Sequence, residues 1–127
     1  MNEDDWHQRE TYKSLMVYGT SAVRFVLLAN GGAIIALLTF VGDFLKNNQA
    51  NIDMTWAIGC YLAGIILGGI ANVAAYRTQL TLYNEKIKNA PLGGHVRWLN
   101  LTIILIISGI ILFSVGSILA VLDLRAL

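Results

Sequence analysis

The chain has 127 residues, of which 56% are hydrophobic and 13% charged, and its formal net charge is +1. So apolar a composition excludes an ordinary soluble domain, and the length excludes a second domain. A net charge near zero provides little of the electrostatic attraction on which nucleic-acid binding depends, so we expect no nucleic-acid partner.

Three apolar runs, each about as long as a bilayer is thick, occupy most of the chain. At about 1.5 Å per residue, they span or nearly span a hydrocarbon core of about 30 Å. The sequence therefore predicts an all-α integral membrane protein, a single module over residues 1–127. Its expected parts are a cytoplasmic helical extension (1–23), a first span (24–41), an outer loop (42–54), a second span (55–76), a cytoplasmic extension and turn (77–98), a third span (99–122) and an outer tail (123–127).

The first helix is expected to begin well before its membrane span. Apolar and small residues recur mostly at spacings of three and four, and nothing between Asp5 and Arg24 breaks a helix. Such a narrow stripe is typical of two helices that pack along their length. Its members are Trp6, Tyr12, Met16, Gly19, Val23, Val26, Asn30, Ala33, Leu37 and Phe40.

The second helix is expected to leave the membrane in the same way. Asp53 marks its start, because an N-cap carboxylate suits the positive end of a helix. Pro91 and the glycines after it end the helix, and a third helix restarts near His95. Beyond the second span, an apolar stripe runs through Tyr76, Leu80, Tyr83 and Ile87. We expect the two extensions to lie side by side as a short antiparallel pair.

The positively charged residues are distributed unevenly along the chain. Lys and Arg resist translocation, whereas carboxylates matter little. One side of the membrane would hold Arg9, Lys13, Arg77, Lys86, Lys88 and Arg97, and the other only Lys46 and Arg125. This predicts a multi-pass protein of the inner (cell) membrane, with the amino terminus in the cytoplasm and the carboxyl terminus outside. Arg24, Arg77, Lys86, Lys88 and Arg97 are expected at the inner leaflet, as topological anchors or contacts to lipid headgroups.

Two asparagines lie within the apolar spans, where an amide must find a hydrogen-bond partner or be costly to bury. Asn30 lies six residues beyond Arg24, and Asn72 lies five residues before Arg77. Antiparallel helices with level arginines would place both amides at one depth. The favoured interpretation is that they bond each other and hold the helices together. A polar ring lining a pore is the alternative.

Glycines form small-residue faces on all three spans. Gly64 and Gly68 have the four-residue spacing of a helix-association motif, and small residues let helix backbones approach closely. The predicted helix-packing glycines are Gly31, Gly32, Gly64, Gly68, Gly109 and Gly116. Three such faces favour a homo-oligomer.

No residue pattern in the sequence predicts a catalytic, cofactor-binding or metal site. His7 and His95 lie far apart, without Cys, Asp or Glu at ligand spacing. Neither membrane boundary collects a nucleophile, a base and an orienting group. We therefore expect a protein that is not an enzyme and has no cofactor.

Two segments, Asn30–Leu38 (NGGAIIALL) and Thr78–Glu85 (TQLTLYNE), carry a resemblance to known proteins. They resemble a family of small, uncharacterised, three-span bacterial inner-membrane proteins, and the resemblance covers most of the chain. It implies a bacterial origin and a three-span architecture, and it transfers no catalytic or binding residue.

The sequence leaves several functions open. The first hypothesis is an oligomeric, non-enzymatic membrane scaffold whose cytoplasmic helices dock a protein through Trp6, Tyr12, Tyr83 and Ile87. The alternative is an oligomeric pore-forming effector, since a few spans joined to cytoplasmic helices are loosely similar to the membrane effectors of bacterial conflict systems. A phage holin fits by size, but the expected outside carboxyl terminus disfavours it. In every case the lipid bilayer is a partner.

Overall fold

The computed structural model of the protein describes residues 3–47, 53–87 and 91–125. These residues form three α-helices: α1 (Glu3–Asn47), α2 (Thr55–Ile87) and α3 (Gly94–Arg125). Each is long and apolar enough to cross a membrane, so the all-α class with three candidate membrane spans is confirmed. Lys88, the middle of the outer loop (48–52) and the end of the tail (126–127) lie outside the described residues.

The helix boundaries follow the expected local chemistry. The Asp53 carboxylate accepts a hydrogen bond from the Thr55 N–H at 3.0 Å, as an N-cap does, and hydrogen bonds from the hydroxyl and N–H of Thr55 lower the pKa of Asp53. Gly93 has φ of +95°, a conformation that glycine adopts at little cost. α3 then begins at Gly94, one residue before the expected restart at His95.

Glycines determine how closely the helices approach one another. α2 packs most extensively against α3, and α1 packs on α2 with few contacts to α3. A Cβ added to Gly68 would lie 2.9 Å from Leu27 Cδ2 on α1, and one added to Gly116 would lie 2.9 Å from Tyr61 Cε1 on α2. These distances leave no room for a side chain at either glycine.

The predicted stripe on α1 is correct in its middle and wrong at both ends. Val23, Val26 and Asn30 are buried, and Ala33 and Leu37 pack on the cluster of buried residues Met54, Ala57, Tyr61 and Ala120. Phe40 is 43% exposed, and Val41 packs in its place. At the other end, all side chains described between residues 6 and 20 are exposed.

Candidate functional site

Asn30 lies where the three helices meet. It is fully buried, and its Nδ2 donates to the Val26 carbonyl at 2.9 Å and to the Gly109 carbonyl of α3 at 3.3 Å. The second bond joins α1 to α3, two helices that otherwise share few contacts. The amide therefore acts as interhelical polar glue, of the kind that stabilises membrane helices by about 0.6 to 2 kcal/mol.

The other amide atom of Asn30 faces the backbone of α2. No donor among the described residues bonds its Oδ1 atom, although that atom is buried. A Cβ added to Gly64 would collide with the Asn30 side chain, lying 2.7 Å from its Nδ2. The Asn30 amide therefore fits between the helices because Gly64 has no side chain.

The predicted pairing of Asn30 with Asn72 is not formed. Asn30 is opposite Gly64, and Asn72 lies eight residues further along α2, about 12 Å away at 1.5 Å per residue. Asn72 is exposed and makes no hydrogen bond to Asn30 within the described part of the chain. The expectation failed because it assumed that Arg24 and Arg77 are level.

Arg24 and Arg77 lie at different depths along the bundle because packing at the glycines, not the position of the charges, determines the helix register. Val26 contacts Gly68, so Arg24 is level with about residue 70, seven residues or roughly 10 Å from Arg77. Arg24 is exposed on the outside of the bundle. The guanidinium of Arg77 lies 5.6 Å from the centre of the Trp98 ring, at the same end of the bundle as Arg97 and Lys86, which are also exposed.

The six predicted packing glycines divide into two groups. α1 packs on Gly64 and Gly68, and Tyr61 packs on Gly116. Val26 packs on Gly109, where an added Cβ would lie only 2.6 Å from Val26 Cγ1. A Cβ added to Gly31 would have Ile65 Cδ1, at 4.0 Å, as its one near neighbour among the described residues. No described atom lies within 4 Å of a Cβ added to Gly32. Four of the six glycines therefore serve packing within one chain.

A second buried polar contact, between Glu85 and His95, was not expected. Glu85 Oε1 accepts a hydrogen bond from the His95 N–H at 3.1 Å, and Oε2 lies 2.6 Å from His95 Nδ1. Only 2% of the Glu85 side chain is exposed. The carboxylate thus caps α3 from the end of α2, closing the turn between them. A carboxylate just before a Pro-Gly turn, with a helix start just after it, is the sequence signal that indicates such a cap.

Hydrogen bonding keeps the Glu85 carboxylate ionised despite its burial. Glu85 lies nine residues beyond Tyr76, in the extension of α2 that the sequence places outside the bilayer. Burial alone raises the pKa, but hydrogen bonds from His95 and Gly93 outweigh it, so the pKa of Glu85 lies below its ordinary value of 4.5.

An apolar groove separates α1 from α3 near the Arg77–Trp98 end of the bundle. We call it the inter-helix groove: α2 forms its floor, and its volume is about 570 Å³, which is in the range of small-molecule sites. The residues of α1 that line it include Leu15, Met16, Gly19, Thr20 and Val23; those of α2 include Asn72, Ala75, Thr78 and Lys86; those of α3 are His95, Leu99 and Thr102.

A second depression, of about 430 Å³, adjoins the inter-helix groove and shares Tyr12, Tyr76, Gln79, Leu82 and Lys86 with it. We call it the tyrosine hollow, and it is lined by Tyr12, Tyr76, Gln79, Leu80, Leu82, Tyr83 and Lys86. The Tyr12 hydroxyl donates a hydrogen bond to Gln79 Oε1 between the two depressions. This bond ties the extension of α1 to that of α2, as expected for a side-by-side pair, but the apolar stripe Tyr76, Leu80, Tyr83 and Ile87 stays exposed.

No protein-family model, no curated protein and no solved structure matches the chain.

Proposed function

We propose that the chain is a non-enzymatic interaction protein of the bacterial inner membrane, whose cytoplasmic helical extensions dock a partner protein. The amino terminus and the turn between α2 and α3 lie in the cytoplasm, as the excess of Lys and Arg on those segments favours. We take Arg77 and Trp98 as the inner interface. The packing of Val26 on Gly68 then supports a first span that starts near residue 17 rather than at Arg24.

The exposed apolar surface of the extensions carries this proposal. Trp6 is 50% exposed, Tyr83 56% and Ile87 62%. Exposed apolar side chains within the bilayer would contact lipid, but these three would contact water. Clustered apolar surface in water marks an interaction site.

The tyrosine hollow indicates the kind of partner. It presents Tyr12, Tyr76 and Tyr83 beside Leu80, and aromatic side chains dominate the energetics of protein interfaces. An open depression between two helices fits the apolar face of a third, amphipathic helix, which would insert residues spaced three and four apart. We therefore propose an amphipathic helix of another protein as the docked element.

Charge substitution tests the proposal. Tyr83→Lys should abolish copurification of partners from bacterial membranes, because it adds a charge to the aromatic lining of the hollow. Trp56→Lys is the matched control, since Trp56 is 76% exposed at the opposite end of α2. Retention of the same partners by Tyr83→Lys, in a protein that still folds, would overturn the proposal.

The pore alternative gains less support from the same residues. Asn30, which that hypothesis places on a channel wall, is fully buried and bonded to Gly109 within one chain. Homo-oligomerisation loses part of its basis as well, because Gly64, Gly68, Gly109 and Gly116 pack inside the bundle. Of the six predicted packing glycines, Gly31 and Gly32 are the two that the described residues leave open to a second copy.

A further inference from the structure

We propose that copies of the chain associate head to tail within the bilayer, with α1 of one copy packed against α2 of the next and Arg24 bonded to Asn72 across the contact. The contact lies in the membrane spans, whereas the partner docking proposed above lies in the cytoplasmic extensions, so neither proposal depends on the other. Two exposed helix faces at the same depth and one charged side chain within a span support it.

α1 and α2 each carry an exposed face on which residues recur at alternating spacings of three and four. We call these faces the outer seams, and such spacing is typical of helices that pair along their length. The outer seam of α1 is Ser21, Phe25, Leu28, Gly32 and Ile35, and that of α2 is Gly59, Leu62, Ile66, Gly69 and Val73. All of these residues are exposed, because packing within the chain uses the opposite faces of both helices.

The relative depth of residues on the two seams follows from packing within one chain, where Val26 is level with Gly68. Copies inserted in the same orientation lie at the same depth in the bilayer. The same levels therefore hold between α1 of one copy and α2 of the next. Counting from this contact along the two antiparallel helices, Phe25 of one copy is level with Gly69 of its neighbour, to within about one residue.

At these levels, smaller residues of one seam face larger residues of the other in most pairs. The facing pairs are Ser21 with Val73, Phe25 with Gly69, Leu28 with Ile66, Gly32 with Leu62, and Ile35 with Gly59. No described atom lies within 4 Å of a Cβ added to Gly32, Gly59 or Gly69. Small residues let the backbones of membrane helices approach closely, so each glycine can accept a large side chain from a neighbouring copy.

Arg24 gives a polar reason for the same contact. With the inner interface at Arg77 and Trp98, Arg24 lies roughly 10 Å inside the span and is exposed on the outside of the bundle. A charge that faces lipid at this depth is costly, and charged residues within spans usually find partners on other helices. Within the described ranges, no hydrogen bond or ion pair joins Arg24 or Asn72 to another residue.

Asn72 of the neighbouring copy supplies the acceptor that Arg24 lacks. Asn72 is exposed and lies two residues, or about 3 Å, from the level of Arg24. Arg24 directly precedes Phe25 and Asn72 directly precedes Val73, so in an antiparallel pair both flank the seam on the same side. The guanidinium of one copy therefore donates to Asn72 Oδ1 of the next.

The contact uses a different surface on each side, because the outer seam of α1 faces away from α2 of the same chain. A pair of copies thus presents one unused seam at each end, and such a heterologous contact continues through further copies into a ring or a row. The match of seams ends at the inner interface, where Tyr18 of one copy is level with Tyr76 of the next. These two large rings keep the cytoplasmic extensions apart.

Disulfide formation between two differently tagged copies of the full chain tests the contact, in a Cys60→Ser background in bacterial membranes. We expect Leu28→Cys in one copy to cross-link with Ile66→Cys in the other, since these positions are 75% and 61% exposed and face each other across the seams. Ile111→Cys is the matched control, because it is 55% exposed on α3 at about the depth of Leu28. It should form little disulfide with Leu28→Cys.

Three outcomes of this experiment would overturn the proposal. Absence of the disulfide between Leu28→Cys and Ile66→Cys would show that lipid covers the seams. An equal yield with Ile111→Cys would show that random collision explains the cross-link. Preferential cross-linking between two Leu28→Cys copies would show a symmetric contact of α1 with α1 instead.

A size exchange tests the packing of the seams. Gly69→Phe in the Ile66→Cys copy should lower the disulfide yield about tenfold, because the added ring takes the space of Phe25. Phe25→Ala in the Leu28→Cys copy should restore the yield, and a failure to restore it would contradict the proposed pairs. If Gly69→Phe does not fold, the cross-linking of copies with unaltered glycines decides.

Removal of the charge tests the polar part of the contact. Arg24→Leu in the Leu28→Cys copy should lower the disulfide yield about threefold, the equivalent of one average hydrogen bond between membrane helices. Arg97→Leu is the control, since Arg97 is exposed at the end of α3 and belongs to neither seam. Equal yields from these two variants would overturn the bond between Arg24 and Asn72.

Discussion

The side-chain amide of Asn30 on α1 bonds the backbone carbonyl of Gly109 on α3, across a contact made possible by Gly64 of α2. One polar side chain thereby touches all three helices of the bundle. Among the described residues α1 otherwise contacts α3 little, and this bond is a polar link between them.

Replacing Asn30 by the similarly shaped Leu should lower the free energy of unfolding by about 1 to 2 kcal/mol, because it removes an interhelical hydrogen bond and crowds Gly64. The loss stays modest because the buried Oδ1 already lacks a donor among the described residues. Asn72→Leu is the matched control and should leave stability nearly unchanged, since Asn72 is exposed. Thermal unfolding in detergent, followed by circular dichroism, measures both. Equal losses of unfolding free energy in the two variants would contradict a stabilising role for the buried Asn30 amide.

Gly64→Ala should destabilise the bundle by about 1 to 3 kcal/mol, because the added methyl group collides with the buried Asn30 side chain. Gly59→Ala on the same helix should be neutral or slightly stabilising, because no described atom lies within 4 Å of the new Cβ and alanine favours a helix. The same unfolding assay compares them. A Gly64→Ala protein as stable as Gly59→Ala would contradict the packing described here.

The Tyr61 hydroxyl and Ser117 Oγ are 3.1 Å apart across the α2–α3 interface. A double-mutant cycle with Tyr61→Phe and Ser117→Ala should give a coupling energy of about 0.6 kcal/mol, the average for such bonds in membrane helices. Ser114→Ala serves as the control partner, because Ser114 is exposed and bonds the Ile110 carbonyl of its own helix. Coupling to Ser114 as large as to Ser117 would refute a direct bond.

Glu85→Gln should destabilise the α2–α3 turn and speed its cleavage by protease, because the charge-assisted bond to His95 is lost. A carboxyl whose pKa is lowered on folding contributes stability above its ordinary value of 4.5, and that stability is lost as the pH falls through the lowered folded-state pKa. The difference in stability between wild type and Glu85→Gln should therefore shrink as the pH falls below about 4.5.

Asp53 has a lowered pKa as well, so the pH series is best measured in an Asp53→Asn background. There, a stability difference between wild type and Glu85→Gln that does not shrink below about pH 4.5 would contradict the ionised cap. Equal stability of wild type and Glu85→Gln at neutral pH would also contradict the ionised cap.

The length and continuity of the helices could be predicted from the sequence because they depend on local properties. Apolar runs, the Asp53 cap and the Pro91 to Gly94 turn each act within a few residues, and the helix starts at Thr55 and Gly94 follow from them. The burial of Val23, Val26 and Asn30 also follows from their spacing along one helix.

The relative depth of the helices could not be predicted in this way. Aligning Arg24 with Arg77 placed Asn30 nearly opposite Asn72, whereas contacts at Gly64 and Gly68 determine a register seven residues different. Exposed arginines have long, flexible side chains that tolerate such an offset, but packed glycines do not. The Glu85–His95 cap was missed for a related reason, since a single charged residue within an amphipathic stripe is usually exposed.

Residue labelling in intact bacteria tests the proposed membrane topology most directly. In a Cys60→Ser background, which removes the single cysteine, Lys46→Cys lies at the end of α1 and Leu92→Cys in the α2–α3 turn, where Leu92 is 88% exposed. A membrane-impermeant maleimide should label Lys46→Cys in intact cells and label Leu92→Cys only after the inner membrane is opened. Labelling of Leu92→Cys in intact cells, with Lys46→Cys protected, would place the extensions outside and contradict cytoplasmic docking.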